Sequence, residues 1–336
     1  MSYWFEAPLV EIDLSSQQKA ALRQDVLTKP QGSLGQLEQL AIKFSGWQSV
    51  AMPELVSQKT SIIIFAADHG IAEEGVSAFP QAVTVEMVKN FVRGGAAISV
   101  LAEHHGAALH IINAGTANPV EGVESTEGVI DCAVSKGTAN FAKQSAMTEA
   151  QCLQSLGVGQ HAINEVMDEG TKLFIGGEMG IANTTSATAV CCALLGMSAE
   201  ELVGAGTGLD AQGVSHKAEV IAAALELHQP LEQPLDILQK VGGFEIAALA
   251  GSYIAAAQKG IPSLVDGFIA TSAALVACRL QPELKHWLLF SHQSAEKGHQ
   301  QVLKHLEATP LLSLGMRLGE GSGAAVCLPI IDSALA

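Results

Sequence analysis

The residues best placed to do chemistry lie in Arg317-Leu318-Gly319-Glu320-Gly321-Ser322-Gly323, where one carboxylate sits among glycines and an apolar run, 324–328, follows directly behind it. Glycine has no Cβ and accepts positive φ, so such a segment lets a single acidic side chain approach a ligand that bulkier neighbours would hold off. An acid in apolar surroundings is also pushed toward the raised pKa that a general base requires. For this string alone, a glycine-rich turn with a solvated glutamate is the plainer alternative.

Other turns carry similar material. Gly176-Gly177-Glu178-Met179-Gly180-Ile181-Ala182-Asn183-Thr184-Thr185-Ser186 combines glycines, a lone acid at a strand end, hydroxyls and a helix N-terminus, which together suit an anion or a sugar. A helix cap accounts for the Thr-Thr-Ser but not for the glutamate among glycines. The turn 204–210, with Lys217 shortly beyond it, reads as a phosphate turn and its counter-charge, or as a turn beside a solvated surface lysine. It also fits G-x-G-x-x-A, but so do 157–162 and 319–324, which shows how weak the pattern is, and this turn is not followed by a convincing βαβ continuation with an acid about twenty residues on. Asp68-His69 could be an acid–base pair or a metal fragment, yet two adjacent residues make a poor ligand set, and a structural hydrogen bond at a strand end is preferred. Phe79 and Met87 suit either an aromatic-binding slot or the core. His292 has no serine partner at a strand–helix elbow, which argues against a hydrolase triad.

These turns need elements to hold them. Short apolar runs at 61–67, 109–113, 172–175, 202–205, 263–265 and 287–290 read as strands buried on both faces, spaced to leave room for a helix between neighbours. Right-handed βαβ crossovers then give an α/β fold with a doubly wound parallel sheet, whose ligands bind beyond the carboxyl ends of the strands. Ahead of the sheet, 15–27 reads as a polar helix. Ser33-x-x-Gln36 has the form of a capping box, and Leu34, Leu37, Leu40, Ala41, Phe44 and Trp47 mark the buried stripe of a second helix.

Composition agrees. With 48% hydrophobic but only 4% aromatic residues and 33 glycines, the core must be built from small aliphatics packed closely. A net charge of −16, from 18 basic against 34 acidic residues, gives no basic stripe for nucleic acid. The six cysteines form no CxxC pair and no metal-like spacing with histidine, so most of them read as buried thiols of a reducing compartment. No signal peptide and no membrane span is legible, and a soluble, cytoplasmic protein is expected.

Taken in order, seven motifs resemble one family. They are Lys29-Pro30-Gln31-Gly32-Ser33-Leu34-Gly35-Gln36-Leu37-Glu38, the Ala67-Asp68-His69-Gly70 turn, 177–185, Gly242-Gly243-Phe244-Glu245, Asp266-Gly267-Phe268, Ser294-Ala295-Glu296-Lys297-Gly298 and 316–325. The chain is similar over nearly its whole length to nicotinate-nucleotide:dimethylbenzimidazole phosphoribosyltransferases, which make the lower-ligand nucleotide of cobalamin. The resemblance implies a homodimer, each subunit having a Rossmann-like large domain and a smaller helical domain built from both chain ends. The implied boundaries are 1–58 for the N-terminal part of the small domain, 59–300 for the large nucleotide-binding domain, and 301–336 for the segment that carries the catalytic glutamate. It implies transfer of phosphoribose from nicotinate mononucleotide to a benzimidazole base without metal or other cofactor. By the same resemblance Glu320 is the general base. Glu178, Gly180, Thr207, Gly208, Lys217 and Ser294 contact phosphate and ribose, and Phe79, Met87 and Leu318 form the base pocket.

Overall fold

The computed structural model describes residues 3–120 and 128–336. Two helices, α1 (Leu14–Val26) and α2 (Gln36–Gln48), precede the first strand, β1 (Thr60–Ala67). Asp13 caps α1 by accepting from the Ser16 N–H at 3.1 Å. After β1 come α3 (Ala82–Val92), α4 (Ala97–His105), β2 (Ala108–Gly115), β3 (Val129–Asp131), α5 (Glu149–His161) and β4 (Leu173–Met179). Then follow α6 (Asn183–Leu195), α7 (Ala199–Leu202), α8 (Ala211–Leu227), α9 (Pro234–Val241), α10 (Phe244–Gln258), β5 (Ser263–Val265), α11 (Phe268–Leu280) and β6 (Leu288–Phe290). The chain closes with α12 (His299–His305) and α13 (Ser322–Leu335), and α13 packs on α2 and α4, so helices from both ends of the chain meet.

The strands form one sheet in the order β3-β2-β1-β4-β5-β6, and every pairing is parallel. From β1 the chain winds outward to β3, and from β4 it winds the other way to β6. The reversal falls between β1 and β4, which is where loops splay apart and open sheets bind ligands. All eight residues of β1 are buried, as expected of a central strand covered by helices on both faces. Among the described residues no helix is long and apolar enough to cross a membrane.

Two readings of the sequence need correction. The run 202–205 is not a strand. Its start ends α7, because Ser198 and Glu201 form a capping box in which the Ser198 N–H donates to Glu201 Oε2 at 2.9 Å, nucleating a turn that apolar periodicity alone cannot distinguish from a strand. Ser33 does not cap α2 either. That helix starts after Gly35 at φ 55°, and Glu38 instead accepts from the Leu34 N–H at 3.1 Å and from Lys29 Nζ at 2.6 Å. The three-residue edge strand β3 was not anticipated, since its half-exposed residues carry no continuous apolar signal.

Small residues set how closely the layers approach. Where α5 crosses α10, a Cβ added at Gly159 would run into Ala248 O and Ser252 N, and one added at Gly251 would run into Leu156 O. Backbone touches backbone there, so nothing can give by rotating. Gly159→Ala should therefore destabilise the fold by about 3 kcal/mol or more. Gly157→Ala, on the same helix with nothing within 4 Å of the new methyl, should stabilise it by about 0.5–1 kcal/mol. Urea midpoints at unchanged slope measure both, and equal effects would refute the close-approach account.

Candidate active site

At the C-terminal ends of β4, β5 and β6 lies a cleft of about 310 Å³. Glu320 reaches it from the loop ahead of α13. Residues 319–321 are consecutively left-handed, at φ 87°, 64° and 79°, and Glu320 is the only one that is not glycine. A left-handed residue with a Cβ costs about 1–2 kcal/mol, so its surroundings must enforce it. Part of the enforcement is contact with β4. A Cβ on Gly177 would lie 2.6 Å from Glu320 O, and one on Gly321 would lie 3.2 Å from Ile175 Cγ2. Gly177 is thus explained by the loop resting on the strand, whereas Gly176 faces α10, where a Cβ would lie 2.5 Å from Leu249 Cδ2.

The Glu320 carboxyl is 5% exposed and its Oε2 has no hydrogen-bond partner in the protein. Burial, and then the negative charge of Asp266, push its pKa up to about 7. Glu178 stands opposite at the end of β4. Burial first, then the neighbouring charges of Glu245, Asp266 and Glu320, hold its carboxyl well above the usual carboxylate range, against a hydrogen bond from Asn183 Nδ2 to its Oε2. An added Cβ at Gly319 would lie 2.5 Å from Glu178 Oε1, so the two acids are separated by a glycine backbone and little else.

The Asp68-His69 turn is structural, as expected. Asp68 Oδ1 accepts from Thr84 Oγ1 at 2.6 Å and its Oδ2 from the Ala117 N–H at 2.8 Å. Both His69 nitrogens are engaged, Nδ1 with Ser186 Oγ at 2.9 Å and Nε2 with Glu245 Oε1 at 2.6 Å, and the whole group is buried. Gly243 is required beside it, since a Cβ there would lie 2.9 Å from Glu245 Oε2 and 3.0 Å from His69 Nε2. The group ties the turn after β1 to the N-termini of α6 and α10. Among the described residues no group of three or more His, Cys, Asp or Glu is arranged to hold a metal ion.

Of the residues singled out in the sequence, Glu320, Glu178, Gly180, Thr207, Ser294, Phe79 and Leu318 line this cleft. Lys217 on α8 does not reach its surface. It is fully buried and donates to Thr184 Oγ1 at 2.7 Å, directly behind the Gly206 turn, and burial lowers its pKa to about 8. The solvated-lysine alternative is thereby excluded. Thr207 Oγ1 accepts from the Ala78 N–H at 3.1 Å and lies 3.2 Å from Ser77 Oγ, so it also ties the 204–208 turn to the loop bearing Phe79. Gly208, at φ 110°, and the half-buried Met87 on α3 are not among the lining residues. Met179, Asn183, Phe268, His292 and Arg317 also line the cleft. Asn183 reads in the sequence as part of an anion or sugar site, and His292 is weighed there only for a hydrolase triad. Met179, Phe268 and Arg317 stand in motifs without a role of their own, and the adjacency of Met179 and Arg317 to Glu178 and Leu318 is the signal that could have found those two. A second hollow, of about 370 Å³, lies beside β6 among Leu40, Lys43, Cys278 and Leu311. It shares no lining residue with the first, and no glycine-rich turn reaches it.

A doubly wound parallel sheet with a buried carboxyl on a glycine loop and a lysine-backed turn at its strand ends is an α/β arrangement suited to group transfer. The family model that matches residues 9–336 is that of a phosphoribosyltransferase. Nicotinate-nucleotide–dimethylbenzimidazole phosphoribosyltransferases from Xanthomonas oryzae pv. oryzae and Pseudomonas aeruginosa LESB58 are each 52% identical, over 99% and 98% of this chain and 94% and 93% of theirs. The crystal structure of CobT from Thermus thermophilus superposes with a TM-score of 0.91 at 39% identity, covering 96% of this chain and 95% of that one. The chain belongs to the nicotinate-nucleotide:dimethylbenzimidazole phosphoribosyltransferase family.

The contact between loop and strand can be tested directly. Gly177→Ala places a methyl against the Glu320 carbonyl, and should lower kcat by about tenfold or more while leaving a folded protein destabilised by about 1–3 kcal/mol. A fully active Gly177→Ala enzyme would show that the loop does not depend on β4 for its position.

Proposed function

We propose that the chain transfers phosphoribose from nicotinate mononucleotide to 5,6-dimethylbenzimidazole, giving α-ribazole 5′-phosphate and nicotinate, the lower-ligand step of cobalamin synthesis. One observation carries the reading: a buried carboxyl, Glu320, with an unpartnered oxygen and a pKa of about 7, on a glycine loop at the cleft. In nicotinate mononucleotide the ribose is joined to a pyridinium nitrogen, so the departing ring becomes a neutral pyridine and needs no general acid. The incoming benzimidazole attacks C1′ with its imine nitrogen, and its other N–H must lose a proton as positive charge develops. Glu320 accepts that proton. Attack from the face opposite the leaving ring inverts C1′ and yields the α-anomer.

In this reading the 5′-phosphate lies against the turn holding Thr207 and Gly208, with Lys217 behind it as counter-charge. Glu178, Gly180 and Ser294 face the ribose, and Phe79, Met87 and Leu318 bound the flat base. Phe79 and Leu318 are both more than half exposed, as a wall awaiting an apolar ring would be. The proposal extends to a homodimer whose subunits each combine a large domain, 59–300, with a small one from 1–58 and 301–336. A positioned base contributes on the order of 10²–10⁴-fold, so alignment of the two rings supplies much of the remaining acceleration.

Two outcomes are expected. Glu320→Gln should lower kcat by roughly a hundredfold or more with nicotinate mononucleotide binding near normal. In the unmodified enzyme kcat/KM should fall about tenfold per unit below pH 7 and level off above it, because the base acts only when ionised. A flat profile from pH ~6 to ~9 removes Glu320 from that role. Lys217→Ala should weaken the nucleotide far more than the base, and isothermal titration giving equal losses for both would contradict the phosphate assignment.

A further inference from the structure

The N-terminus of α13 is capped from a distance. Its N-cap residue is Gly321, which has no side chain to satisfy the free N–H groups of the first turn. The carboxylate of Asp266, which follows β5, does so instead. Its Oδ2 accepts from the Gly321 N–H at 3.1 Å and its Oδ1 from the Ala324 N–H at 2.9 Å, across 55 and 58 residues of sequence. These two bonds bracket the turn immediately after Glu320. Inside the loop, Ser322 Oγ closes onto Gly319 O at 2.7 Å. Gly323 leaves room for the arrangement, since a Cβ there would lie 2.8 Å from Asp266 Oδ1 and would strike the His292 ring.

Asp266 is 2% exposed, and it does not line the cleft although it stands directly behind the loop that does. Burial raises its pKa above the usual carboxylate value, while His292 and then the backbone N–H groups at the start of the 14-residue helix pull it back toward the ionised form. Other titratable groups surround the loop. Glu178 comes from the end of β4, with Glu245 of α10 behind it; His292 and Glu296 follow β6, and Arg317 is on the loop itself. His292 Nδ1 is 3.8 Å from Asp266 Oδ1; burial lowers the imidazole's pKa and Asp266 raises it, and its charge is the foremost influence that favours the Asp266 carboxylate. Among the charged groups facing Glu320, Asp266 alone bonds the backbone that carries it.

The geometry points to Asp266 as the positioning residue for Glu320: it clamps the left-handed loop through the N-terminus of α13, aims the carboxylate into the cleft, and, when ionised, stands behind it as a negative charge. This rests on the proton-acceptor reading of Glu320. Asp266 never touches the substrate. Burial, and then the charge of Asp266, disfavour ionisation of Glu320 and so keep that carboxyl a stronger base than a solvated glutamate.

Asp266→Asn retains an acceptor for one N–H and removes the charge. The test compares wild type, Asp266→Asn and Asp266→Glu by the pH dependence of kcat/KM and by infrared titration of the Glu320 carboxyl, isolated as the difference from the same protein carrying Glu320→Gln. For Asp266→Asn, both midpoints should move to lower pH by about one unit, and the plateau should fall about tenfold or more. Nicotinate mononucleotide binding should stay within about threefold. Asp266→Glu keeps the charge but misplaces the two acceptors, so its midpoint should stay near wild type while its plateau falls. A fall in activity with both midpoints unmoved in Asp266→Asn would leave Asp266 a helix cap and nothing more, and would overturn the inference. If Glu320→Gln keeps full activity, the proton-acceptor reading fails, and the infrared midpoint of Asp266→Asn still decides whether Asp266 governs that carboxyl. Should the asparagine variant not fold, Asp266→Ser, an uncharged N-cap acceptor, takes its place with the same expected shift.

Discussion

Everything at the active end of this protein depends on one close approach, the main chain of Glu320 against Gly177 of β4. A strand residue with any side chain would hold the loop off the sheet, and a loop held off the sheet would leave its carboxylate in water. The approach explains why a central strand carries a glycine at 177, a residue that otherwise weakens strands. It explains too why the loop is left-handed over three residues and why its anchors come from elements remote in sequence. Because β4 borders the reversal in strand order, the carboxylate arrives where the sheet's own topology opens a crevice.

The charges are arranged against the global balance. A chain of net charge −16 that handles a phosphate must gather its few cations locally. Lys217, buried behind the 204–208 turn, and Arg317, at the cleft, are placed that way. Against them stand the buried carboxyls Glu178, Glu245, Asp266 and Glu320, each engaged differently. Glu245 is bonded to His69, Asp266 to two backbone N–H groups, and Glu178 to Asn183, while Glu320 keeps an oxygen free. One oxygen of Glu245 is unpartnered too, but of these two carboxyls only Glu320 lines the cleft and is placed to take a proton.

Much of this was legible in the sequence, and the reasons differ by element. Five of the strands announced themselves as apolar runs between glycine turns, because a strand buried on both faces has no polar residues to interrupt it. Edge strand β3 was silent for the converse reason, and 202–205 misled because a buried helix end and a buried strand look alike over so few residues. Glu320 and Glu178 stood out as acids among glycines. Asp266 was visible as a strand-end residue, but its bond to α13 spans 58 residues and leaves no local pattern. The burial of Lys217 was likewise undecidable from the chain, since its partner Thr184 lies on a different helix.

The same carboxyl that serves as base also shapes the protein's tolerance of acid. Folding moves Glu320 from an ordinary 4.5 to about 7, so below pH 4.5 it is protonated whether the chain is folded or not. Between those values the unfolded chain releases a proton that the folded chain keeps, and stability drains away as pH rises, by on the order of 3 kcal/mol by the time the folded group has ionised. Glu178, raised in the same direction, adds to the loss. These two carboxyls favour a lower pH than activity does, and they are opposed by the buried His299, whose pKa burial lowers to about 3, so that folding loses ground as pH falls below the ordinary 6.5 of a histidine.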